Sequence, residues 1–517
     1  MGVPAALQAA GPLAGPLARV AELARRWPAA SALLLGLLQV TAFPPLGWFP
    51  VGVLALAGLF LLLDEGRPGA GARVGFAFGA GLFGGGTYWL FTAIHGFGHA
   101  PVALALFLMA GLVALMAGWY ALLGYVTRRW FSHPGRLRWL VVLPGGWVLV
   151  EWARSRAFTG FPWLTLGYTQ IDTWLAGYAP VGGVYLVTLA TAVCAGALAA
   201  WVRGARQHWH WPAGLLAGVV GLGGVLSVVP WTHPDGKALD VAIVQGAVPQ
   251  DLKWSPEQRD ATLALYRELS KTAWGAPLVV WPEAALPVLA EEATPYLREQ
   301  WGVASSHGSA LLMGLLSYDL QGGHIRNGLL VLDTQRAPQW YFKRHLVPFG
   351  EYFPVPAQVR EWMRLASLAY VDLQPGAEGQ PVPVAQGLPL AATICYEDAY
   401  GSDQLAPLAQ AKMLVNVTNN AWYGDSSASH QHLQISRMRA LEAGRYLVRA
   451  TSNGISVIVG PRGEVLARAP QFQPVVLRGS VVPYTGLTPY AWLGGDWAVL
   501  LLAACGVLAG VWHRPRA

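Results

Sequence analysis

The sequence predicts a polytopic α-helical membrane bundle of about eight spans that carries one water-soluble α/β domain. Three observations predict it: long charge-free stretches, a central block of ordinary charge content, and a switch to short β-rich runs within that block. Hydrophobic residues fill 54% of the 517 positions and charged ones only 12%, about half the usual charged share of roughly 25%. Much of the chain is therefore unsuited to water. Ser31 to Leu63, Val74 to Thr127, Thr173 to Val202 and Trp209 to Pro234 contain no Asp, Glu, Lys or Arg. A membrane span needs roughly 20 apolar residues, so these runs are long enough to cross, and some to cross twice.

Breaks within the runs set the spans. Pro44, Pro45 and Gly47 divide the first into 30–46 and 49–63, and "HGFGHAP" divides the second into 74–93 and 102–126. Further spans are expected near 139–155, 178–201, 212–230 and 490–512. Alternate threading puts Arg25, Arg26, Arg67, Arg73, Arg128, Arg129, Arg136, Arg138, Arg203, Arg206, Arg514 and Arg516 on one side. Only Arg154 and Arg156 fall on the other among the short flanks. The arginine-rich side is then cytoplasmic, both termini are inside, and the soluble block lies outside the cytoplasmic membrane. The stretch "EWARSRAFTGFPW", with Glu151, Trp152, Arg154, Arg156 and Trp163, reads as an interfacial anchor of snorkelling arginines and belt tryptophans. A sharper reading makes it a contact for lipid headgroup phosphate.

The central block, Asp235 to Pro489, holds 22 of the 28 acids and 20 of the 35 Lys and Arg, a formal −2. The remainder has 15 Arg and 6 acids, so the overall +7 comes from the membrane part. Loop arginines explain the basic balance better than nucleic-acid binding does. Cys194 and Cys505 lie in apolar runs, which leaves Cys395 as the one thiol of the soluble block. With no CxxC or Cys/His ligand spacing, a structural zinc is not expected. The first apolar run lacks a small-residue cleavage site, so a cleaved signal peptide is not expected either.

Within the block, "LDVAIVQ", "PLVVWPE", "ALLMGLL", "NGLLVLD", "LAATICY", "MLVNVTN" and "ISVIVGP" read as strands. Several are apolar throughout, the pattern of strands buried on both faces. Ser255, Pro256 and Gln258 form a capping-box pattern that opens a helix to about Ala273. A second helix is expected from about Ser429 to Tyr446, and a hairpin turns at Pro461 to Gly463. The sheet is mixed, and no GxGxxG follows a strand.

Three polar landmarks sit at strand ends: Glu283 after "VVWP", Lys343 in "WYFKRHLVPFGEYFP" and Cys395 in "AATICYE". A thiol nucleophile needs a base and a cation. Glu283 is suited to take the thiol proton from an apolar pocket. Lys343 is suited to hold charge on a tetrahedral intermediate, beside the backbone N–H that follows the nucleophile. Read singly, each has a plainer account: a surface carboxylate, a solvated lysine, a packing cysteine.

In this order on this strand pattern, the three resemble the Glu-Lys-Cys triad of the nitrilase superfamily. "WPEAALP", "FKRHLVPFGEYFP", "TICYEDAY" and "VTNNAWYG", with the surrounding spans, are similar to its membrane-bound N-acyltransferase branch. The resemblance implies a four-layer αββα sandwich over about residues 238–482. It implies a tail at 1–28, a membrane domain with spans 1–7 at 29–233, an extracytoplasmic nitrilase-like catalytic domain at 234–484, and a last span with a cytoplasmic C-terminus at 485–517. The implied activity transfers an acyl chain from a membrane phospholipid to the α-amino group of the S-diacylglyceryl cysteine of an apolipoprotein. It would do so in the bacterial inner membrane, as a monomer, with no cofactor or metal. Glu351 in "PFGEYFP" matches a second glutamate that steers Lys343, and Tyr396 and Glu397 follow the nucleophile as in the family. Asn327 in "IRNGLLVL" matches a supporting asparagine, and Trp254 in "DLKW" and Trp422 in "VTNNAWYG" are expected to bind substrate. The chemistry fits: a thiolate attacks an ester, and an amine resolves the thioester, the two steps of a ping-pong mechanism.

Two other classes fit less well. A membrane-tethered amidase or nitrilase-type hydrolase would use the same triad, but would not need so much chain in lipid. A transporter would carry charges within its spans, and these have almost none away from their ends.

Overall fold

The computed structural model describes residues 22–512 except 65, 132–134, 205–209, 320–321, 354–357 and 359–371. Most of the expected N-terminal tail, with Arg206, Arg514 and Arg516, lies outside the described residues. The chain divides into two compact units, Met1–Val229 with Asp496–Ala517, and Pro230–Gly495.

The first unit is helical. It comprises α1 (Pro28–Val40), α2 (Phe49–Leu62), α3 (Pro68–Gly86), α4 (Val102–Trp130), α5 (Leu143–Arg156), α6 (Ala179–Gly204), α7 (His210–Val228) and the helix Trp497–Trp512. Among the described residues, three helical stretches are long and apolar enough to cross a membrane: Val102–Trp130, Trp174–Arg203 and His210–Val228. Pro28–Val40, Phe49–Leu62 and Trp497–Trp512 are shorter apolar helices. Helix α3 starts six residues before the span expected at 74, because Pro68 presets the first helical turn. Its glycines bring backbones into contact: a Cβ on Gly75 would lie 2.0 Å from the Tyr120 carbonyl oxygen of α4.

Asp64 is buried within this unit and takes part in two ion pairs, one of them with the exposed Arg203. Asp64 Oδ2 meets Arg203 at 2.7 Å and Oδ1 meets Arg138 at 3.4 Å. Arg128 donates to the Leu62 carbonyl at 2.9 Å. Arg128 and Arg138, read as loop arginines, are therefore buried against the end of α2. The anchor expected around Arg154 is also corrected. Arg154 is 0% exposed and donates to the carbonyls of Phe161 at 2.7 Å and Trp163 at 2.8 Å. Glu151 lies 3.7 Å from it and accepts from Leu166 N and Thr188 Oγ1. An arginine so enclosed neither snorkels nor meets a headgroup, and Trp163 is buried as well; Arg156 is exposed and Trp152 half-buried, so the correction concerns Arg154 and Trp163 alone.

The second unit contains two six-stranded mixed sheets. The first is built from β1 (Leu239–Gln245), β2 (Leu278–Trp281), β3 (Ala310–Asp319), β4 (His324–Asp333), β5 (Arg336–Phe342) and, late in the chain, Val475–Val481. The second takes β6 (Val384–Ala385), β7 (Leu388–Ile394), β8 (Met413–Thr418), β9 (Leu447–Thr451), β10 (Val457–Val459) and β11 (Val465–Arg468); Val475–Val481 is β12. Their orders are β12-β1-β2-β3-β4-β5 and β11-β10-β9-β8-β7-β6. Strands β1, β2 and β3 run parallel, as do β7, β8 and β9, and the outer strands are antiparallel.

Alternation explains why these strands are apolar throughout. Val241 and Ile243 face a core shared with Leu390, Ala392, Met413 and Val415 of the other sheet. Their neighbours Ala242 and Val244 face Tyr266 of α8 (Pro256–Lys271) and Tyr296 and Leu297 of α9 (Thr294–Ser306). Across the second sheet, Leu414 and Leu447 pack on Leu433 and Ala440 of α10 (Ser427–Ala443). Helix, sheet, sheet, helix: the layers are αββα. The expected capping box of α8 is not formed. Ser255 makes no side-chain cap bond, and Gln258 N bonds the Ser255 carbonyl at 3.1 Å instead.

Candidate active site

Two sheets deliver the candidate residues to one place. Glu283 lies two residues past β2, Lys343 directly past β5, and Cys395 directly past β7. All three are buried, Lys343 to 1% and Cys395 to 7% exposure. Glu283 Oε1 accepts from Asn327 Nδ2 at 2.7 Å and from Lys343 Nζ at 3.3 Å. Glu283 Oε2 accepts from the backbone N–H of Asn419 at 2.7 Å. Lys343 Nζ also donates to Glu351 Oε1 at 2.8 Å, and Asn327 Nδ2 reaches the same oxygen at 3.2 Å. Glu351 is oriented in turn by Val347 N at 2.7 Å. So Asn327 and Lys343 both bridge the two carboxylates.

Cys395 opens a tight 3-10 turn with φ of 52°, a left-handed conformation that costs a non-glycine residue free energy and is often found at functional turns. Glu397 holds that turn. It accepts from the N–H groups of Ile394 at 2.8 Å, Arg344 at 2.7 Å and His345 at 3.3 Å, and from Tyr341 Oη at 3.1 Å. Tyr396 packs its ring near His345 and Tyr400. Behind the turn, Asp398 binds His432 Nε2 at 2.8 Å and Arg449 Nη1 at 3.0 Å.

The electrostatics follow from these contacts. Burial pushes the Cys395 thiol up to about 12, reinforced by Glu283 and opposed by Lys343, so it rests protonated. For Glu283, burial raises proton affinity, but Lys343, Asn327 and Lys253 outweigh it and hold the carboxyl below its ordinary range. Lys343 loses to burial and gains more from Glu283, Glu351 and Cys395, which keep it firmly charged. The resting site is a neutral thiol, an ionised carboxylate and an ammonium ion. That set can pass a proton from sulfur to Glu283 as sulfur attacks an electrophile.

Trp254 and Trp422 are the two tryptophans expected to bind substrate. They stand 45% and 40% exposed on the loops after β1 and β8. Asn419 ties those loops together through Gln250 Oε1 at 3.0 Å. Several partners went unassigned from sequence. Asn419 and Thr418, whose side chain bonds the Cys395 thiol, lie at or beside the quoted "VTNNAWYG". Asp398 lies in "CYEDAY". Lys253, buried beside the exposed Trp254, had no sequence signal beyond its neighbour.

The αββα layers and the site define a protein of the carbon-nitrogen hydrolase class, and the carbon-nitrogen hydrolase family model matches residues 240–489. A second model, the apolipoprotein N-acyltransferase N-terminal domain, matches residues 35–197. Apolipoprotein N-acyltransferase of Methylococcus capsulatus is 41% identical over 94% of this chain and 96% of its own. That of Nitrosomonas europaea is 38% identical over 92% of this chain and 95% of its own. The chain belongs to the apolipoprotein N-acyltransferase family. Among solved structures, the nitrilase-superfamily protein Nit3 of Saccharomyces cerevisiae aligns with 48% of this chain and 91% of its own, at 16% identity and a TM-score of 0.35.

Proposed function

We propose that this protein transfers an acyl chain from a membrane phospholipid to the α-amino group of the S-diacylglyceryl cysteine that begins an apolipoprotein. The observation that carries the reading is Lys343, shared at 3.3 and 2.8 Å by the carboxylates of Glu283 and Glu351 and buried with Cys395. Glu283 takes the thiol proton as Cys395 Sγ attacks the ester carbonyl carbon. The oxyanion is held by the Lys343 ammonium and the backbone N–H of Tyr396. The C–O bond breaks, Glu283 returns the proton to the leaving lysophospholipid, and a thioester remains on Cys395. The acceptor amine then attacks that thioester, Glu283 receives the amine's proton, and it passes that proton to the departing Cys395 sulfur as the C–S bond breaks, which restores the thiol and the empty base. Glu351 and Asn327 aim Lys343 and Glu283, Glu397 with Tyr396 fixes the nucleophile turn, and Trp254 and Trp422 line the approach of the lipid substrates. The catalytic unit works on the outer side of the bacterial inner membrane.

The decisive experiment is mass analysis of an apolipoprotein N-terminus after incubation with the enzyme and one defined phospholipid. One added acyl chain on the α-amine is expected, with parallel double-reciprocal lines when both substrates vary. Phospholipid alone should yield about one lysophospholipid per active site and then stop. Continued fatty-acid release without an amine would show a hydrolase instead. Sidedness has its own test. A cysteine at the exposed Gln335 turn should react with an impermeant thiol reagent from outside, and one at the exposed Gly69 should not.

A further inference from the structure

Charge counting around Glu283 exposes a residue that the triad does not use. Glu283 and Glu351 are two carboxylates joined by one ammonium, Lys343, and by one neutral amide, Asn327. Two negative charges and one positive charge leave one charge uncompensated in a site with little water. An uncompensated negative charge beside a buried carboxylate raises that carboxylate's proton affinity, here that of Glu283. A proton held there would occupy the base before any substrate arrived.

The missing charge is present on the loop after β1. Lys253 is 2% exposed, and its Nζ has no hydrogen-bond partner among the described residues. A buried ammonium without a partner is costly and calls for a reason. The acid that acts on Lys253 is Glu283, and Lys253 acts on Glu283 in return. Its loop is fastened to the site. Ala247 N bonds the Ser452 carbonyl at 2.9 Å, and Asn453 Nδ2 bonds the Val248 carbonyl at 3.3 Å. Gln250 accepts from Asn419 Nδ2 at 3.0 Å, and the backbone N–H of that same Asn419 binds Glu283. Trp254, next in the chain, projects outward while Lys253 is enclosed.

We propose that Lys253 is a positioning residue for acyl transfer: it is the second cation of the site, which leaves Glu283 an empty base and lets Lys343 stay shared between Glu283 and Glu351. The proposal rests on the reading of Glu283 as the base. The other ionisable groups acting at the site are Lys343, Glu351, Cys395, Tyr423 and Arg449. Of these, Lys343 is already committed to both carboxylates and Arg449 to Asp398. Cys395 and Tyr423, both pushed up by burial, add no positive charge. Burial also brings the Lys253 ammonium down to about 8, which keeps it charged through neutral pH.

The test is the pH dependence of Cys395 acylation by phospholipid, read as the burst of lysophospholipid from the full-length enzyme. Removing the cation raises the proton affinity of Glu283, so the acidic limb moves to higher pH. Lys253→Met should therefore acylate more slowly than wild type only on the acidic limb, by a factor that approaches about tenfold at its foot for a limb shift of about one unit, and come close to wild type near pH 7. Lys253→Arg should restore the wild-type limb if it folds. In the double variant Lys253→Met/Glu351→Gln one carboxylate is gone and the charge count balances, so its limb should lie below that of Lys253→Met. A loss in Lys253→Met that is equal at every pH would mean mere packing and would overturn the proposal. A profile superimposable on wild type would overturn it too. Glu283→Gln separates this from a failure of the underlying reading. If that variant acylates normally, Glu283 is not the base; if it is inactive while the Lys253→Met limb stays in place, only the role of Lys253 falls.

Discussion

Glu151–Arg154 in the helical unit and Glu283–Lys343 in the sandwich are both buried acid–base pairs, and they are completed in different ways. Arg154 spends both Nη atoms on nearby oxygens, the carbonyls of Phe161 and Trp163 and the Thr165 hydroxyl. Its acid is likewise bound by Leu166 N–H and Thr188. Every one of those partners lies within forty residues of Glu151 (the most distant is Thr188, 37 positions away). Lys343 has three N–H bonds to give, and the structure assigns one each to Glu283 and Glu351. One partner, Glu283, follows β2 and lies 60 positions away, the other, Glu351, lies 8 positions along the loop after β5, and the thiol of Cys395 acts on Lys343 as a third neighbour. The brace is closed within one stretch of chain, with Arg154 Nε lacking a partner among the described residues; the reactive pair joins residues 60 positions apart.

Substitutions sharpen that contrast, beginning with the largest effect. Cys395→Ser should fold and insert normally yet lose turnover by on the order of 10³-fold or more, measured as N-acylated product. A hydroxyl beside Glu283 and Lys343 lacks the imidazole that activates serine nucleophiles. Glu283→Gln should slow thioester formation by about 10²- to 10⁴-fold, the usual worth of a general base, with the protein still folded. Unchanged accumulation of labelled acyl-enzyme in that variant would remove Glu283 from the mechanism. Arg154→Met should show the opposite profile. It strands Glu151 in a dry interior, so stability should fall by about 3–5 kcal/mol while kcat of the surviving enzyme is kept. A thermal melt in detergent beside a rate measurement decides it, and a selective loss of kcat would mean that the brace is part of the site. The smallest effect belongs to Arg267→Ala. The exposed pair with Glu299, at 2.8 Å, should contribute less than about 1 kcal/mol and nothing to rate.

Residue by residue, legibility followed burial. Strands β1, β3 and β8 were plain in sequence because their stretches 241–244, 310–315 and 413–415 are apolar or small and buried on both faces. Strand β9 was missed because "LVRAT" carries an arginine. In the fold Arg449 is fully enclosed and neutralised by Asp398 and Asn416 Oδ1 at 2.6 Å, a partnership no local pattern announces. Strands β5 and β12 are edge strands with exposed, charged positions, and their sequences lack the apolar signal for the same reason. Glu283, Lys343 and Cys395 stood out as polar residues ending apolar runs. Asn419 acts on Glu283 through its backbone, so its side chain gave no hint of that bond. The reverse error occurred at Arg154, where charge at the end of an apolar run suggested an interface and the chain had folded over it.

Glu397 has a consequence for how the enzyme fails. Its acceptor oxygens gather Ile394 N–H from β7 in one sheet and Tyr341 Oη, Arg344 N–H and His345 N–H from the end of β5 in the other. Hydrogen bonds at the nucleophile itself thus help fix the spacing between the two sheets, as do those of Gln339 with Val384 and of Gln245 with Ser456 elsewhere, while the shared core itself is made of apolar contacts that tolerate small slides. A shear of the sandwich by an ångström or so leaves that core buried but takes directional bonds out of range. The carboxylate is therefore a gauge of alignment: warming that loosens the sheets against each other misplaces Lys343 relative to Cys395 while most of the fold is still standing. Heat inactivation of acylation should accordingly come at a lower temperature than loss of secondary structure, with activity recovering on cooling from the interval between them.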